Sequence, residues 1–328
     1  MSSEIGHNFF SLSPADFERV ALDVFHYQWE HNALYRNYGE LLGIQPREVH
    51  SLQRVPFLPI SFFKKHRVAS GDHNEEAIFE SSGTTGTSTS RHFIKDLNLY
   101  RQSFLRAFSL IYGDPRSYCI LGLLPSYLER GHSSLVYMVD HLIRESGHPL
   151  SGFYLYDHEK LSRTLIQLEA SGQRTLLIGV TFALLDFAAK FPLPLRHTIV
   201  METGGMKGRR EELTRGQVHE ILQKAFHCDK IHSEYGMTEL LSQAYATRNG
   251  LFQCPPWMRV MIRDEDDPFT LHSQENARGG INVIDLANIH SCSFIATEDL
   301  GRLYSDGHFE VLGRMDSSEL RGCSLMVV

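Results

Sequence analysis

Residues 175–201 read TLLIGV-TFALLDFAAK-FPLPLR-HTIVM. Thr175 to Val180 is apolar at almost every position, 182–190 fits a helix, and 197–201 returns to a strand pattern. A strand that is apolar on both faces needs cover on both faces. It therefore belongs to a parallel sheet flanked by helices. The alternation continues outward. Upstream, Tyr118 to Leu124 is a second apolar strand, and Leu97, Tyr100, Phe104, Ala107, Phe108 and Ile111 recur at helical spacing. A helix near 133–145, a strand near 153–156 and a helix near 158–171 are expected between these stretches. Downstream, a helix over 209–226 and a short strand near 230–232 follow. Nearer the N-terminus, Ser13-Pro14 with Asp16 predicts a helix start, Ser as cap and Pro in the first turn. After about residue 250 the pattern changes to short strands near 259–262, 281–285, 292–296, 301–304 and 308–312, with Asp306-Gly307 as a hairpin turn. The expected fold is α/β. It comprises a core with parallel sheets over 1–250, including an N-terminal helical segment, and a small antiparallel β-subdomain with a C-terminal tail over 251–328.

The 328 residues are 42% hydrophobic and 22% charged, enough apolar material for a large core. A net charge of -7 leaves no broad basic face for nucleic acid. No apolar run approaches the roughly 18 residues of a membrane helix. The N-terminus lacks a signal-peptide pattern, so a cytoplasmic location is expected. Cys119, Cys228, Cys254, Cys292 and Cys323 are odd in number, far apart and form no CxxC pair, which fits free thiols. His219, His227, Cys228 and His232 match no zinc spacing.

Ser81-Ser82-Gly83-Thr84-Thr85-Gly86-Thr87-Ser88-Thr89-Ser90 follows a strand pattern over 76–80. A loop made only of Ser, Thr and Gly offers backbone N–H groups and hydroxyls that can approach an anion closely. That suits a polyphosphate, and a flexible polar linker is the plain alternative. No Gly-Lys-Ser/Thr follows, so it is not a Walker A loop, and no Gly-x-Ser-x-Gly elbow is present.

Further short motifs follow in order. Ser81-Ser82-Gly83-Thr84-Thr85-Gly86 resembles the phosphate-binding signature of the adenylate-forming superfamily, which includes acyl-CoA synthetases and phenylacetate-CoA ligases. Thr203-Gly204-Gly205 resembles that family's adenine-lining glycines, and Tyr235-Gly236-Met237-Thr238-Glu239 its Tyr-Gly-x-Thr-Glu. Thr297-Glu298-Asp299-Leu300-Gly301-Arg302 resembles its Thr-Gly-Asp-Leu-Gly-Arg, with Glu298 in place of Gly. Gly313-Arg314-Met315-Asp316 resembles its Gly-Arg-x-Asp. The resemblance implies an adenylate-forming large-domain-like core. It implies that the 81–86 loop and Thr238 hold phosphate oxygens, and that Tyr235 stacks on adenine beside Gly204 and Gly205. It further implies that Glu239 binds Mg²⁺, that Asp299 takes the ribose hydroxyls, and that Arg314 reaches the ribose or α-phosphate. Taken singly, each residue also has an ordinary structural reading, as a core tyrosine, a turn-capping aspartate or a surface arginine. The ordered set is what carries the resemblance.

In that superfamily a mobile C-terminal domain supplies a lysine. The resemblance implies that this domain is absent here, since only 12 residues follow Asp316 (328 − 316). Lys207 is a candidate substitute, with a solvent-facing lysine as the plainer reading. The chain as a whole resembles the LuxE-type acyl-protein synthetases, on Val55-Pro56-Phe57-Leu58-Pro59, Phe63-Lys64 and Ser318-Glu319-Leu320-Arg321-Gly322-Cys323. The likeness implies ATP- and Mg²⁺-dependent activation of a fatty acid as acyl-AMP, capture of the acyl group on Cys323 and delivery to an acyl reductase. Thr238, Glu239, Arg314 and Cys323 are the catalytic candidates. Arg321 or Arg314 could lower the thiol pKa of Cys323, and His132 is a candidate for the acid side. Two rivals stay open. One is an acid:CoA or acid:carrier-protein ligase using an external thiol, and the other is a catalytically inactive nucleotide-binding scaffold. The acid's length, and whether it is aliphatic or aromatic, also stay open.

Overall fold

The two apolar stretches lie side by side as parallel strands, Leu121 against Leu177 and Leu177 against Val200. The structure, a computed structural model, describes residues 9–81, 89–125, 131–204, 213–272 and 274–315. Its helices in chain order are α1 (Phe17–His31), α2 (Ala33–Leu41), α3 (Phe62–Lys65), α4 (Leu97–Tyr112), α5 (Ser134–Ser146), α6 (His158–Ala170), α7 (Thr181–Lys190) and α8 (Arg215–Phe226). Its strands are β1 (Leu58–Pro59), β2 (Ala77–Glu80), β3 (Arg91–Ile94), β4 (Cys119–Leu123), β5 (Gly152–Phe153), β6 (Thr175–Gly179) and β7 (Thr198–Glu202). They continue with β8 (His232–Tyr235), β9 (Ala244–Ala246), β10 (Phe252–Gln253), β11 (Met258–Arg263), β12 (Arg278–Asp285), β13 (Phe294–Leu303) and β14 (Phe309–Arg314).

Strands β5, β4, β6, β7 and β8 are parallel neighbours in that order. From β8 the sheet continues antiparallel through β9, β10, β14, β13, β12 and β11, while β1 adds to β13. The hairpin β2–β3 stands apart. This is the α/β architecture expected from the alternation. Among the described residues no helix is long and apolar enough to cross a membrane.

Side chains alternate across a strand, and here that alternation sorts residues into two cores. Ile120, Leu176, Ile178 and Met201 join one core with Phe104 and Phe108 of α4 and Val139 and Leu142 of α5. Leu121, Leu123, Leu177 and Val200 join the other with Leu161 and Leu165 of α6, Phe187 of α7 and Leu222 and Phe226 of α8. Burial on both faces is why these strands carry so few polar residues.

Several boundaries differ from the sequence expectation. Helix α1 begins at Phe17 because the Ser13 hydroxyl donates to the Asp16 carboxylate (2.6 Å) and closes a turn there. Helix α8 is described from Arg215, where Thr214 and Gln217 form a capping box. The stretches 292–296 and 301–304 fall within one strand, β13, which bends at a register shift between Leu300 and Gly301. A side chain at Gly301 would put its Cβ 2.6 Å from the Glu310 carbonyl, so only glycine fits that bend. The Asp306-Gly307 hairpin forms, with Gly307 at φ +83. Helix α2, capped by Asn32 accepting from the Tyr35 N–H, was not anticipated.

One buried carboxylate ties the halves of the sheet together. Asp285 ends β12 and accepts from the backbone N–H of Leu241 (2.8 Å), Ser242 (2.9 Å) and Ala287 (3.1 Å), and from the Ser242 hydroxyl (2.6 Å). Burial pushes its pKa up to about 6 against these four bonds. Ser242 in turn accepts from the Trp257 indole. The turn between β8 and β9 is thus fixed from β12. In Asp285→Asn, one accepting oxygen becomes a donor facing a backbone N–H. Each buried donor left unsatisfied costs about 1–3 kcal/mol, so the urea unfolding midpoint should fall by that order. An unchanged midpoint would refute the clamp.

Candidate active site

Beyond the C-terminal ends of β7 and β8, where ligands settle in α/β sheets, the chain encloses a cleft of about 610 Å³. Ser81, Gly204, Tyr235, Thr238, Glu239, Asp299 and Arg314 all line it, contributed by five separate stretches of sequence. Ser82, Gly83, Thr84, Thr85, Gly86, Gly205 and Cys323, with Lys207, lie outside the described residues.

Tyr235 is the last residue of β8. Its ring packs against Phe252 and Phe309, and its hydroxyl donates to Asp299 Oδ2 at 2.9 Å. Asp299 on β13 sits opposite Arg314 on β14 in the strand register, and the Arg314 Nε is 3.7 Å from Asp299 Oδ1. Burial raises the Asp299 pKa, against the Tyr235 hydrogen bond and the Arg314 charge. Arg314 itself is exposed.

Past Tyr235 the backbone is pinned by partners distant in sequence. His92 on β3 donates from Nδ1 to the Thr238 carbonyl (2.8 Å). Asn288 donates to the Glu239 carbonyl (2.7 Å). The Glu239 side chain is 5% exposed, and burial raises its pKa while the Ser90 hydroxyl, Lys64 and Arg314 oppose the rise. Gly204, at φ +73, donates its N–H to Glu202 Oε2 at 2.8 Å. Burial would raise Glu202, but His219, Arg215, Ser233 and that N–H together outweigh it and hold its pKa at about 2. Glu202 is therefore a fixed anion that anchors the Gly204 turn.

The Ser/Thr/Gly loop joins two antiparallel strands, β2 and β3. Its base is closed by the Ser81 N–H to the Ser90 carbonyl (3.0 Å) and the Ser90 N–H to the Ser81 hydroxyl (3.0 Å). Glu298, the departure from the family pattern, has an ionic partner, with the Lys64 Nζ 3.8 Å from its Oε1. His132 lines the cleft, and its carbonyl accepts from the Glu80 N–H. His219 bonds Ser233 and His232 bonds Tyr112. Ser90, the end of the Ser/Thr/Gly stretch, lines the cleft, while sequence reasoning passed over Lys64, Glu234 and Gln243 as lining residues and His92 as the support behind Thr238. Of these missed residues Lys64 alone carried a signal, in the Phe63-Lys64 pair after Pro59.

No family model matches the chain, and no curated protein matches it. Solved structures do. 2-Hydroxyisobutyryl-CoA ligase in an open conformation, in complex with 2-HIB-AMP and CoA, superposes with a TM-score of 0.67 at 15% identity, over 93% of this chain and 71% of that one. ATP-bound MatB from Rhodopseudomonas palustris gives 0.54 at 15% identity, over 73% and 48%. The luciferase-like enzyme of the mealworm Zophobas morio gives 0.53 at 16% identity, over 76% and 60%. This chain thus spans about half the length of MatB and more of the ligase. At such identities the fold is what is shared, and it is the fold of the adenylate-forming ligases.

Burial lowers the His92 pKa to about 4, below the ordinary imidazole value of about 6.5. Between those values the unfolded chain holds the proton and the folded chain does not. Stability present above pH 6.5 is therefore lost as pH falls toward 4. An NMR titration should place the His92 midpoint near 4, and His92→Gln should flatten the stability slope in that window. A midpoint near 6.5 would contradict the burial of the His92 ring, since the bond to Thr238 by itself raises the value.

Proposed function

We propose that this chain activates a carboxylic acid with ATP, releasing pyrophosphate and forming an acyl-adenylate, and that the acyl group then passes to the thiol of Cys323. The convergence of Ser81, Gly204, Tyr235, Thr238, Glu239, Asp299 and Arg314 on one cleft is the observation that carries the reading. Five motifs chosen for one chemistry have no packing reason to meet in one cavity. The enzymes that share the fold were captured with ATP in MatB and with 2-HIB-AMP and CoA in the ligase.

In the proposed reaction a carboxylate oxygen of the acid attacks the α-phosphorus. The bond from that phosphorus to the bridging oxygen breaks, and pyrophosphate leaves with the electron pair. Tyr235 and Gly204 flank the adenine, and Asp299, oriented by the Tyr235 hydroxyl, takes the ribose hydroxyls. Thr238 and the loop beginning at Ser81 hold phosphate oxygens, with Lys64 and Arg314 as cations in the cleft. Mg²⁺ commonly uses one or two carboxylates together with phosphate oxygens. Glu239, a buried carboxylate lining the cleft, fits that donor set and would hold the ion, which supplies neutralisation of phosphate charge.

The state of the other cysteines supports Cys323 as the acceptor. Burial pushes Cys119 up to about 11, Cys254 and Cys292 up to about 12, and raises Cys228. A thiol held protonated is a poor nucleophile, and none of the four lines the cleft. Cys323, outside the described residues, is the remaining thiol. It attacks the adenylate carbonyl as thiolate, and AMP leaves. The scheme leaves onward transfer to an acyl reductase, CoA or carrier protein as the next step.

Acid-dependent ATP–pyrophosphate exchange tests the adenylation half. Glu239→Gln should lower its turnover by about 2.7–4 kcal/mol of barrier, a hundredfold or more. Asp299→Ala should instead raise the apparent KM for ATP by about ten- to hundredfold with a smaller effect on kcat, because ribose contacts exist before and during the chemical step. Near-normal exchange in a folded Glu239→Gln variant would reject the metal role.

Cys323→Ser separates the two halves of the reaction. It should keep exchange but lose hydroxylamine-labile acyl-protein, since serine without a paired base stays protonated. A wild-type protein that exchanges but never labels would favour direct transfer to an external thiol.

A further inference from the structure

Strand β8 presents different chemistry on its two faces. Ser233 and Tyr235 point one way, toward His219 and Asp299. His232 and Glu234 point the other, where His232 Nδ1 meets the Tyr112 hydroxyl of α4. Tyr235, Asp299 and Arg314 mark the nucleotide side, so the part of the cleft over Glu234 is left for the acid. Tyr100, Leu135 and Met138 also line the cleft and supply an apolar wall. The Tyr100 hydroxyl is already committed to the Ser134 carbonyl (3.0 Å).

Against that wall sit polar groups with nothing to bond. Glu234 is 7% exposed, and its side chain makes no hydrogen bond with any described residue. Gln243 is 3% exposed, and its Oε1 has no partner. Tyr245 lies opposite Glu234 in the β8–β9 register, and its buried hydroxyl is also unpartnered. Glu234 and Gln243 meet over the bare face of Gly236. A Cβ there would lie 2.4 Å from Glu234 Oε1 and 3.3 Å from Gln243 Cγ. Leaving the Gln243 and Tyr245 oxygens buried and unpaired costs about 1–3 kcal/mol each. A plain alkyl tail would displace water and leave them unpaired still.

We infer that the acid accepted by this cleft is a short one carrying a hydrogen-bond-donating substituent, a hydroxyl or an amino group, which Glu234 and Gln243 receive. The inference rests on the adenylation reading above and departs from the fatty-acid expectation. Burial and the nearby Glu202 charge push the Glu234 pKa up to about 8. It therefore holds a proton at neutral pH and can both donate to and accept from a hydroxyl. An ammonium would take the place of that proton as its partner. Gln243 offers an acceptor or, with its amide turned over, a donor at the same point.

The test is pyrophosphate exchange across matched short acids, unsubstituted, hydroxy and amino, together with a long-chain fatty acid. A substituted acid should exceed its unsubstituted counterpart by about a hundredfold or more in kcat/KM, because a site built to bond a polar group rejects the analogue lacking it. The hydroxy and amino arms identify which donor is read. Gln243→Leu and Glu234→Gln should each shrink the ratio tenfold or more, by about 1.4 kcal/mol. The Leu substitution removes an amide whose oxygen is already unpartnered, so it should fold. Preference for the unsubstituted or long-chain acid overturns this inference alone, as does a ratio unmoved in both variants. Exchange with no acid at all overturns the adenylation reading and this inference together.

Discussion

The Asp285 carboxylate is the contact on which the site's shape depends. It is fully buried and accepts four hydrogen bonds, three of them from backbone N–H groups on two separate stretches of chain. Those bonds stop the turn after β8 from relaxing, and that turn carries Thr238 and Glu239. The same short stretch after β12 adds Asn288, bonded to the Glu239 carbonyl. Gln28 of α1 bonds the Asn288, Ile289 and Ser291 carbonyls behind it. Support runs from the N-terminal helix through the end of β12 to the cleft without a break. A buried network of this kind is rigid where its members are satisfied, as the Asp285 carboxylate is by its four donors.

Charges near the cleft divide into two kinds. Glu202 is saturated by Arg215, Thr181, His219 and the Gly204 N–H and has no capacity left for a ligand. Arg215 is equally committed, to Glu202, to the Val311 carbonyl and to the Phe252 ring. Glu239, Lys64 and Arg314 keep capacity. The two ion pairs that Lys64 and Arg314 make are long, at 3.8 and 3.7 Å, and each cation is substantially exposed. Pairs of that sort contribute little to stability, so a phosphate can replace the carboxylate partner at small cost. Structural charges are thus close and buried, and the charges offered to a ligand are loose.

The period-2 geometry of β8 turns one strand into a partition. Consecutive residues Glu234 and Tyr235 face opposite sides, and in the proposed reaction this would bring nucleotide-side and acid-side chemistry within one peptide of each other. Such closeness suits a reaction whose two substrates must touch, because holding them in register replaces an encounter in solution. Gly236 then leaves the bare face that lets Glu234 and Gln243 converge.

Local patterns determined the parts of this protein that depend on near neighbours. The apolar runs of β4 and β6 required two-sided burial, helical spacing gave α4 to α7, and Asp306-Gly307 required a hairpin. Short motifs picked out Ser81, Gly204, Tyr235, Thr238, Glu239, Asp299 and Arg314, all of which line the cleft. The misplaced helix start at Ser13 also has a local cause, a hydroxyl that closed a turn instead of capping a helix. Only the tertiary structure decided the rest. His92 supports Thr238 across 146 positions, and Asp285 holds Ser242 across 43. Glu298 became legible only with Lys64 beside it. Glu234 and Gln243 carry no sequence signal as a pair. Whether a polar side chain is satisfied or left waiting depends on what the fold brings within about 3 Å of it, and no periodicity along the chain records that distance.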